Sequence, residues 1–278
     1  MVISPCLLAV SCVAALSVPA AVSAAEQGMA LVDAHIHYSH DAWEQLPPSK
    51  AVEVLRRAGL KHAFVSSSSD EGTQKLYAVA PDFIVPVLRP YRRRGELSTW
   101  LHDETVVPML DDLLKRNRYA GIGEFHAYGE DIDLPVLQRV IQLAKQHRIF
   151  LHAHSDADAV ERIFASDPDA IVLWAHSGFE DPAEVGAMLE KYPNLWADLA
   201  FRSEHESGGE VTEEWRVLFE RFPKRFMLGT DTFAPERWYY VEDAAADNRV
   251  WLATLPRALA ERIGASNAME LLSRTSFR

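Results

Sequence analysis

Cysteine is nearly missing from this 278-residue chain: there are two, Cys6 and Cys12, both within the first dozen residues. A disulfide scaffold and a catalytic thiol are therefore excluded for everything that follows. Positive charge is also short, with 28 Lys and Arg against 40 Asp and Glu and a net charge of -12. A protein that neutralises many phosphates shows a basic face, so no nucleic-acid partner is expected. Long apolar runs are lacking outside residues 2–25, which excludes a multi-span membrane protein. Disorder is excluded from the other side, because 48% of the residues are hydrophobic.

Residues 1–25 hold no charged side chain, run apolar from Cys6 to Val18, meet Pro19 and end in the small residues Val22-Ser23-Ala24-Ala25. That pattern predicts a secretory signal peptide, hence a periplasmic or secreted protein with no membrane attachment once the leader is cleaved. Translation from Met29 would instead leave a cytoplasmic chain. Removing the leader leaves residues 26–278 as one domain of about 250 residues, the usual size of an eightfold βα barrel.

The hydrophobic pattern supports that architecture. Short β-rich runs are expected at 30–37, 61–67, 83–88, 119–126, 149–154, 171–176, 195–198 and 225–231. Between them, 49–58, 134–147, 181–192 and 212–221 read as amphipathic helices. Asp181-Pro182-Ala183-Glu184 carries the N-cap Asp and first-turn Pro of a helix start. Strict alternation at about 32 residues per unit predicts an α/β fold, a (βα)8 TIM barrel. The competing reading, a doubly wound open sheet, lacks a Gly-x-Gly-x-x-Gly turn after its first strand.

Five of these strands end in residues able to hold a metal: Asp33-Ala34-His35-Ile36-His37, Gly123-Glu124-Phe125-His126, His152-Ala153-His154, Ala175-His176-Ser177-Gly178 and Gly229-Thr230-Asp231. Strand ends of a barrel converge at its C-terminal mouth, so residues distant in sequence meet there. A period of two puts His35 and His37 on the same side of their strand. His152 and His154 share a side in the same way; His154 lies nearer the mouth and His152 one layer deeper. His40, His62, His102, His147 and His205 have no such placement, and Asp198 at the end of strand seven is assigned no metal.

On these motifs, with the closing Asn267-Ala268, the chain from residue 30 to about 267 resembles the amidohydrolase superfamily, in its amidohydrolase-related branch. The resemblance implies a metal-dependent hydrolase that attacks an amide, ester or lactone of a small molecule. It implies one or two divalent ions, zinc first, with manganese or iron as alternatives. His35, His37 and Asp231 would hold the more buried ion. His154 and His176 would hold a second, with Glu124 as a bridging carboxylate. Asp231 and His176 would also be catalytic, Asp231 by moving a proton between water and leaving group. A site built without thiolates suits hard or borderline ions. Relatives that decarboxylate carboxylates without oxidation, and TatD-like nucleases, are the alternative activities. For substrate binding, Arg89 and Arg92 of the basic run after strand three are expected at the mouth, together with His126. Arg202 and Trp238 lie on comparable loops.

Overall fold

The computed structural model describes residues 28–277. The expected signal peptide, with both cysteines, lies outside the described residues. Eight parallel strands follow one another around a nearly closed barrel: β1 Leu31–Ile36, β2 Leu60–Val65, β3 Ile84–Leu88, β4 Gly121–His126, β5 Phe150–His154, β6 Val172–Trp174, β7 Leu195–Asp198 and β8 Phe226–Met227. Each pairs with the next in parallel register. Two main-chain bonds join the ends of the series: the Ala34 N–H donates to Leu228 O at 2.9 Å and the Asp231 N–H to His35 O at 2.8 Å. The (βα)8 architecture is thus confirmed, with helices such as Pro135–His147 and Pro182–Lys191 between strands. Asp181 caps the second of these, accepting from the N–H groups of Ala183 and Glu184 at 2.9 Å each. Among the described residues no helix is long and apolar enough to cross a membrane.

Period two sorts side chains into two cores. Phe64, Val85, Val87, Phe150, Leu173, Trp196 and Met227 fill the barrel interior with Val32, and Ala268 and Leu271 of the last helix cover its lower end. Leu151, Ala153, Val172, Trp174, Leu195 and Ala197 face outward into the helix layer. On β5 this alternation carries Phe150, His152 and His154 to the inside in successive layers. The apolar floor is therefore topped by a polar layer at the strand ends.

Two strands are shorter than their hydrophobic runs suggest. β6 stops at Trp174, two residues before His176, because four successive residues turn left-handed: His176, Ser177, Gly178 and Phe179 have φ of 55°, 50°, 67° and 56°. β8 stops at Met227, and residues 228–231 are held by β1 through the two closing bonds above. Strand β1 also contains a register irregularity between Asp33 and Ile36. Val32 and Ala34 belong to the interior core, so unbroken alternation would turn Ile36 inward; the irregularity instead delivers His35 and His37. Asp33 secures it, accepting from its own His35 N–H at 3.0 Å and from the Thr230 hydroxyl at 2.7 Å.

His205 occupies an apolar position near the two-stranded hairpin Glu206–Ser207/Glu210–Val211. It is 4% exposed, its ring lies 4.9 Å from that of Trp251, and neither ring nitrogen has a partner among the described residues. Burial pushes its pKa down from 6.5 to about 4, against the weaker pull of Glu206 and Glu204. Below pH 6.5 the unfolded chain binds a proton at His205 that the folded chain refuses until the pH nears 4. Stability is therefore lost across that window, by on the order of 3 kcal/mol, and the loss is complete below it. Urea unfolding of metal-stripped protein at pH 7 and pH 4.5 should show His205→Leu losing less stability than the wild type by most of that amount; equal losses would contradict the assignment.

Candidate metal centre

The polar layer above the barrel floor brings together His35 from β1 and His37 just after it, Glu124 from β4, His154 from β5, His176 after β6, Asp198 from β7 and Asp231 after β8. All but His154 are at most 7% exposed. Desolvation on this scale is tolerated only where charges are paired or bind a cation.

Hydrogen bonds decide which ring nitrogens are free. His37 Nδ1 lies 2.8 Å from Ser66 O, and His176 Nδ1 2.7 Å from Ala200 O. A carbonyl only accepts, so both Nδ1 atoms carry the proton and both Nε2 atoms carry a lone pair. His35 Nδ1 donates to Asp198 Oδ2 at 3.1 Å, which leaves its Nε2 in the same state. The Nε2 atoms of His35 and His37 then face each other at 3.1 Å, and Asp231 Oδ1 sits 3.2 Å from His37 Nε2. Asp231 Oδ1 is buried without a hydrogen-bond partner among the described residues. Three acceptors aimed at one point repel unless a cation lies between them. The donor set, two imidazoles and a carboxylate, fits a divalent ion of borderline hardness.

Glu124 reaches both halves of the cluster. Its Oε2 is 3.2 Å from His37 Nε2; its Oε1 is 2.7 Å from His154 Nδ1 and 3.4 Å from His176 Nε2. A carboxylate in this position can serve a second ion held by His154 and His176. Burial acts to raise the Glu124 carboxyl, and the imidazoles of His35 and His126 outweigh it, holding the group well below its ordinary range. His35 is raised above 6.5 although burial acts to lower it, because Asp198, Glu124 and Asp231 surround it. A proton and a divalent ion are alternative answers to one local excess of negative charge, so ion binding should release protons.

Asp198 proves to be the hub. Fully buried, it accepts from His35 Nδ1, from His152 Nε2 at 3.0 Å, and from the N–H groups of His176 and Ala200 at 2.9 and 3.0 Å. It orients two imidazoles and fixes the turn bearing a third. His152 lies one layer deeper, as its place on β5 implies. The inward phase of Trp196 and Asp198 on β7 was the signal that could have identified this carboxylate.

The basic residues mostly act on the protein itself. Arg89 is buried and donates to Glu124 Oε2 at 2.7 Å and to Glu124 O at 3.2 Å, so the expected substrate clamp is turned toward a candidate ligand. Arg92 departs further from expectation: the buried carboxylate of Glu96, at 3.0 Å, and Asp103 hold its guanidinium. Opposite charge on its own loop offers nearer partners than the mouth does. Arg202 donates to the carbonyls of His176, Ser177 and Glu180, at 3.1, 3.4 and 2.7 Å, satisfying acceptors that the left-handed turn leaves open. Trp238 is buried, its indole N–H 3.2 Å from His37 O. His126 does reach the cluster. Its ring stacks on His154 at 4.1 Å and its Nδ1 accepts from the Tyr91 hydroxyl at 2.9 Å, while burial depresses its pKa to about 3.

Comparison with known proteins agrees with the barrel fold. A solved TIM-barrel protein of unknown function from Bordetella bronchiseptica superposes with a TM-score of 0.62 at 14% identity, covering 88% of this chain and 99% of that one. An amidohydrolase from Burkholderia multivorans gives 0.52 at 11% identity, over 87% and 99% of the two chains. A putative 2-pyrone-4,6-dicarboxylic acid hydrolase from Pseudomonas putida gives 0.52 at 14%, over 88% and 98%. At these identities the likeness is one of fold. Among curated proteins no relative is found. The amidohydrolase family model, however, matches residues 32–274, nearly all of the described chain. The protein belongs to the amidohydrolase family and is a hydrolase of that superfamily.

Proposed function

We propose that the protein is a divalent-metal-dependent hydrolase acting on a carbonyl-type centre of a small molecule, an amide, ester or lactone. The observation that carries this reading is the convergence of His35 Nε2, His37 Nε2 and the unpartnered Asp231 Oδ1. Zinc fits the imidazole and carboxylate donors best. A divalent ion bound there would polarise the scissile carbonyl and lower the pKa of water toward about 7.

The chain's own residues supply the rest. Asp231 is the proton carrier: its carboxylate faces the cluster, and burial, which would raise its pKa, is overcome by His35 and His37, which hold it at about 2. An acceptor ionised throughout the working range can take a proton from the attacking water and return it to the departing oxygen or nitrogen. The backbone aims it, because Asp231 has φ 50° and Arg237 donates to Asp231 O and, at 2.6 Å, to Thr230 O. His176 and His154 flank Glu124 on the opposite side and would hold a second ion or orient the substrate carbonyl. Arg89 fixes Glu124 between the two halves. We infer export from the uncharged, apolar pattern of residues 1–25, which reads as a leader.

Two substitutions test the reading. Asp231→Asn keeps the side-chain volume and removes the proton acceptor, so turnover of a hydrolysed ester or amide should fall by about a thousandfold or more while the melting temperature changes little. Retained turnover would remove Asp231 from the chemistry. Asp198→Asn takes away no ligand but weakens the bonds orienting His35 and His176; affinity for zinc, read by competition with a chromogenic chelator, should drop about 10- to 100-fold. Unchanged affinity would mean that Asp198 has no hold on the centre.

A further inference from the structure

His126, the last residue of β4, is held at three points by buried aromatic side chains from the segment that follows β3. The Tyr91 hydroxyl accepts from the His126 main-chain N–H at 2.7 Å and lies 2.9 Å from the ring Nδ1, and the Trp100 indole donates to the His126 carbonyl at 3.1 Å. Tyr91 and Trp100 are 1% and 0% exposed, and their rings meet edge-on at 5.8 Å. Arg89 of the same segment lies over the Tyr91 ring at 4.9 Å while it grips Glu124, two residues before His126. Among the described residues, one polar atom of His126 is left without a partner, its Nε2.

The Tyr91 hydroxyl fixes the tautomer of that ring. Its oxygen already accepts from the His126 N–H, and its buried proton has no acceptor among the described residues other than Nδ1. A buried donor left unpaired is costly, so the proton goes to Nδ1, which therefore carries the lone pair. A neutral ring with its lone pair at Nδ1 carries its hydrogen on Nε2. His126 is thus the reverse of His35, His37 and His176, whose Nδ1 atoms donate and whose Nε2 atoms are acceptors. An Nε2–H does not bind a cation; it donates to an oxygen. The ring is well placed to do so: it stacks on His154 at 4.1 Å, and one of its nitrogens lies within 4.8 Å of a Glu124 oxygen and of a His154 nitrogen. Around the barrel β4 is directly opposite β8, so His126 stands across the mouth from Asp231. Glu124 and His37 lie between them, with Glu124 Oε2 and Asp231 Oδ1 each 3.2 Å from His37 Nε2.

We propose that His126 is a catalytic residue whose neutral Nε2–H donates to the oxygen of the substrate carbonyl, and that Tyr91 is the positioning residue that keeps the hydrogen there. The inference rests on the hydrolase reading and adds to it the group that receives the carbonyl oxygen. As water adds to the carbonyl carbon, the π pair moves onto that oxygen and its hydrogen bond from His126 strengthens. The hydrogen stays on Nε2, while Asp231 takes the proton that the water gives up. A neutral imidazole polarises a carbonyl without ceding its proton. A donor placed where negative charge develops favours the transition state over the bound substrate.

Nitrogen-15 spectra of the zinc-loaded protein at pH 7, with His126→Gln to assign the signals, read the tautomer directly. Nδ1 should resonate as an unprotonated nitrogen and Nε2 as a protonated one. Tyr91→Phe should remove that preference, moving both resonances toward the average of two tautomers and lowering kcat about tenfold. His126→Phe should lower kcat for a hydrolysed ester on the order of 100-fold, with KM and zinc affinity changed by less than about twofold. His126→Gln offers an amide N–H at a similar reach and should restore about tenfold of that loss. A protonated Nδ1 or a zinc-bound Nε2 would overturn the proposal, and so would a kcat that His126→Phe leaves unchanged. A wild-type enzyme that hydrolyses no ester, amide or lactone would refute the hydrolase reading, and this role with it, even with the tautomer as stated.

Discussion

The arrangement depends on one buried carboxylate. Asp198, fully out of water at the top of β7, survives ionised because two imidazoles and two main-chain N–H groups donate to it. Burial alone would raise its pKa; His35 and His152 hold it far below the carboxylate range. Those bonds protonate the far side of His35 and leave its Nε2 lone pair facing the cluster. They also anchor the amide of His176, so Asp198 connects strands β1, β5 and β7 and the turn after β6 at one point. A buried charge used in this way specifies geometry rather than adding stability.

Precision of this kind is supported by strained backbone. His176, Ser177, Phe179, Phe201 and Asp231 all adopt positive φ, and all lie in or beside the site. The turn at His176 persists because Arg202 satisfies its carbonyls and the Ser177 hydroxyl donates to Asp198 O at 2.8 Å. Gly178 is required within it, since a Cβ there would meet the Trp174 ring at 2.2 Å. Strain of this sort is sustained by the surrounding core and concentrates where function demands fixed side chains.

Much of this was legible in sequence. The alternation of β and α runs identified the barrel, and ligand-type residues at strand ends located its working face, because both follow from period and position. The remainder depended on geometry that periodicity does not encode. The register irregularity in β1 resets the phase of His35 and His37, and the left-handed turn ends β6 before its apolar run ends. Asp198 was passed over because a lone aspartate at a strand end carries no motif; its importance comes from what four other residues donate to it. Arg89 and Arg92 form one basic run in sequence, yet one is claimed by Glu124 of the cluster and the other by Glu96 and Asp103. Charge patterning places such residues near a mouth without saying which carboxylate will claim them.

The central claim is that the acceptors of His35, His37 and Asp231 converge in order to hold a divalent ion. A crystal structure of untagged protein, with anomalous data collected on both sides of the zinc edge, tests it most directly. The account predicts an anomalous peak about 2.0–2.2 Å from His35 Nε2, His37 Nε2 and Asp231 Oδ1. Protein soaked with zinc that shows no peak there, with the three side chains unmoved, would contradict it.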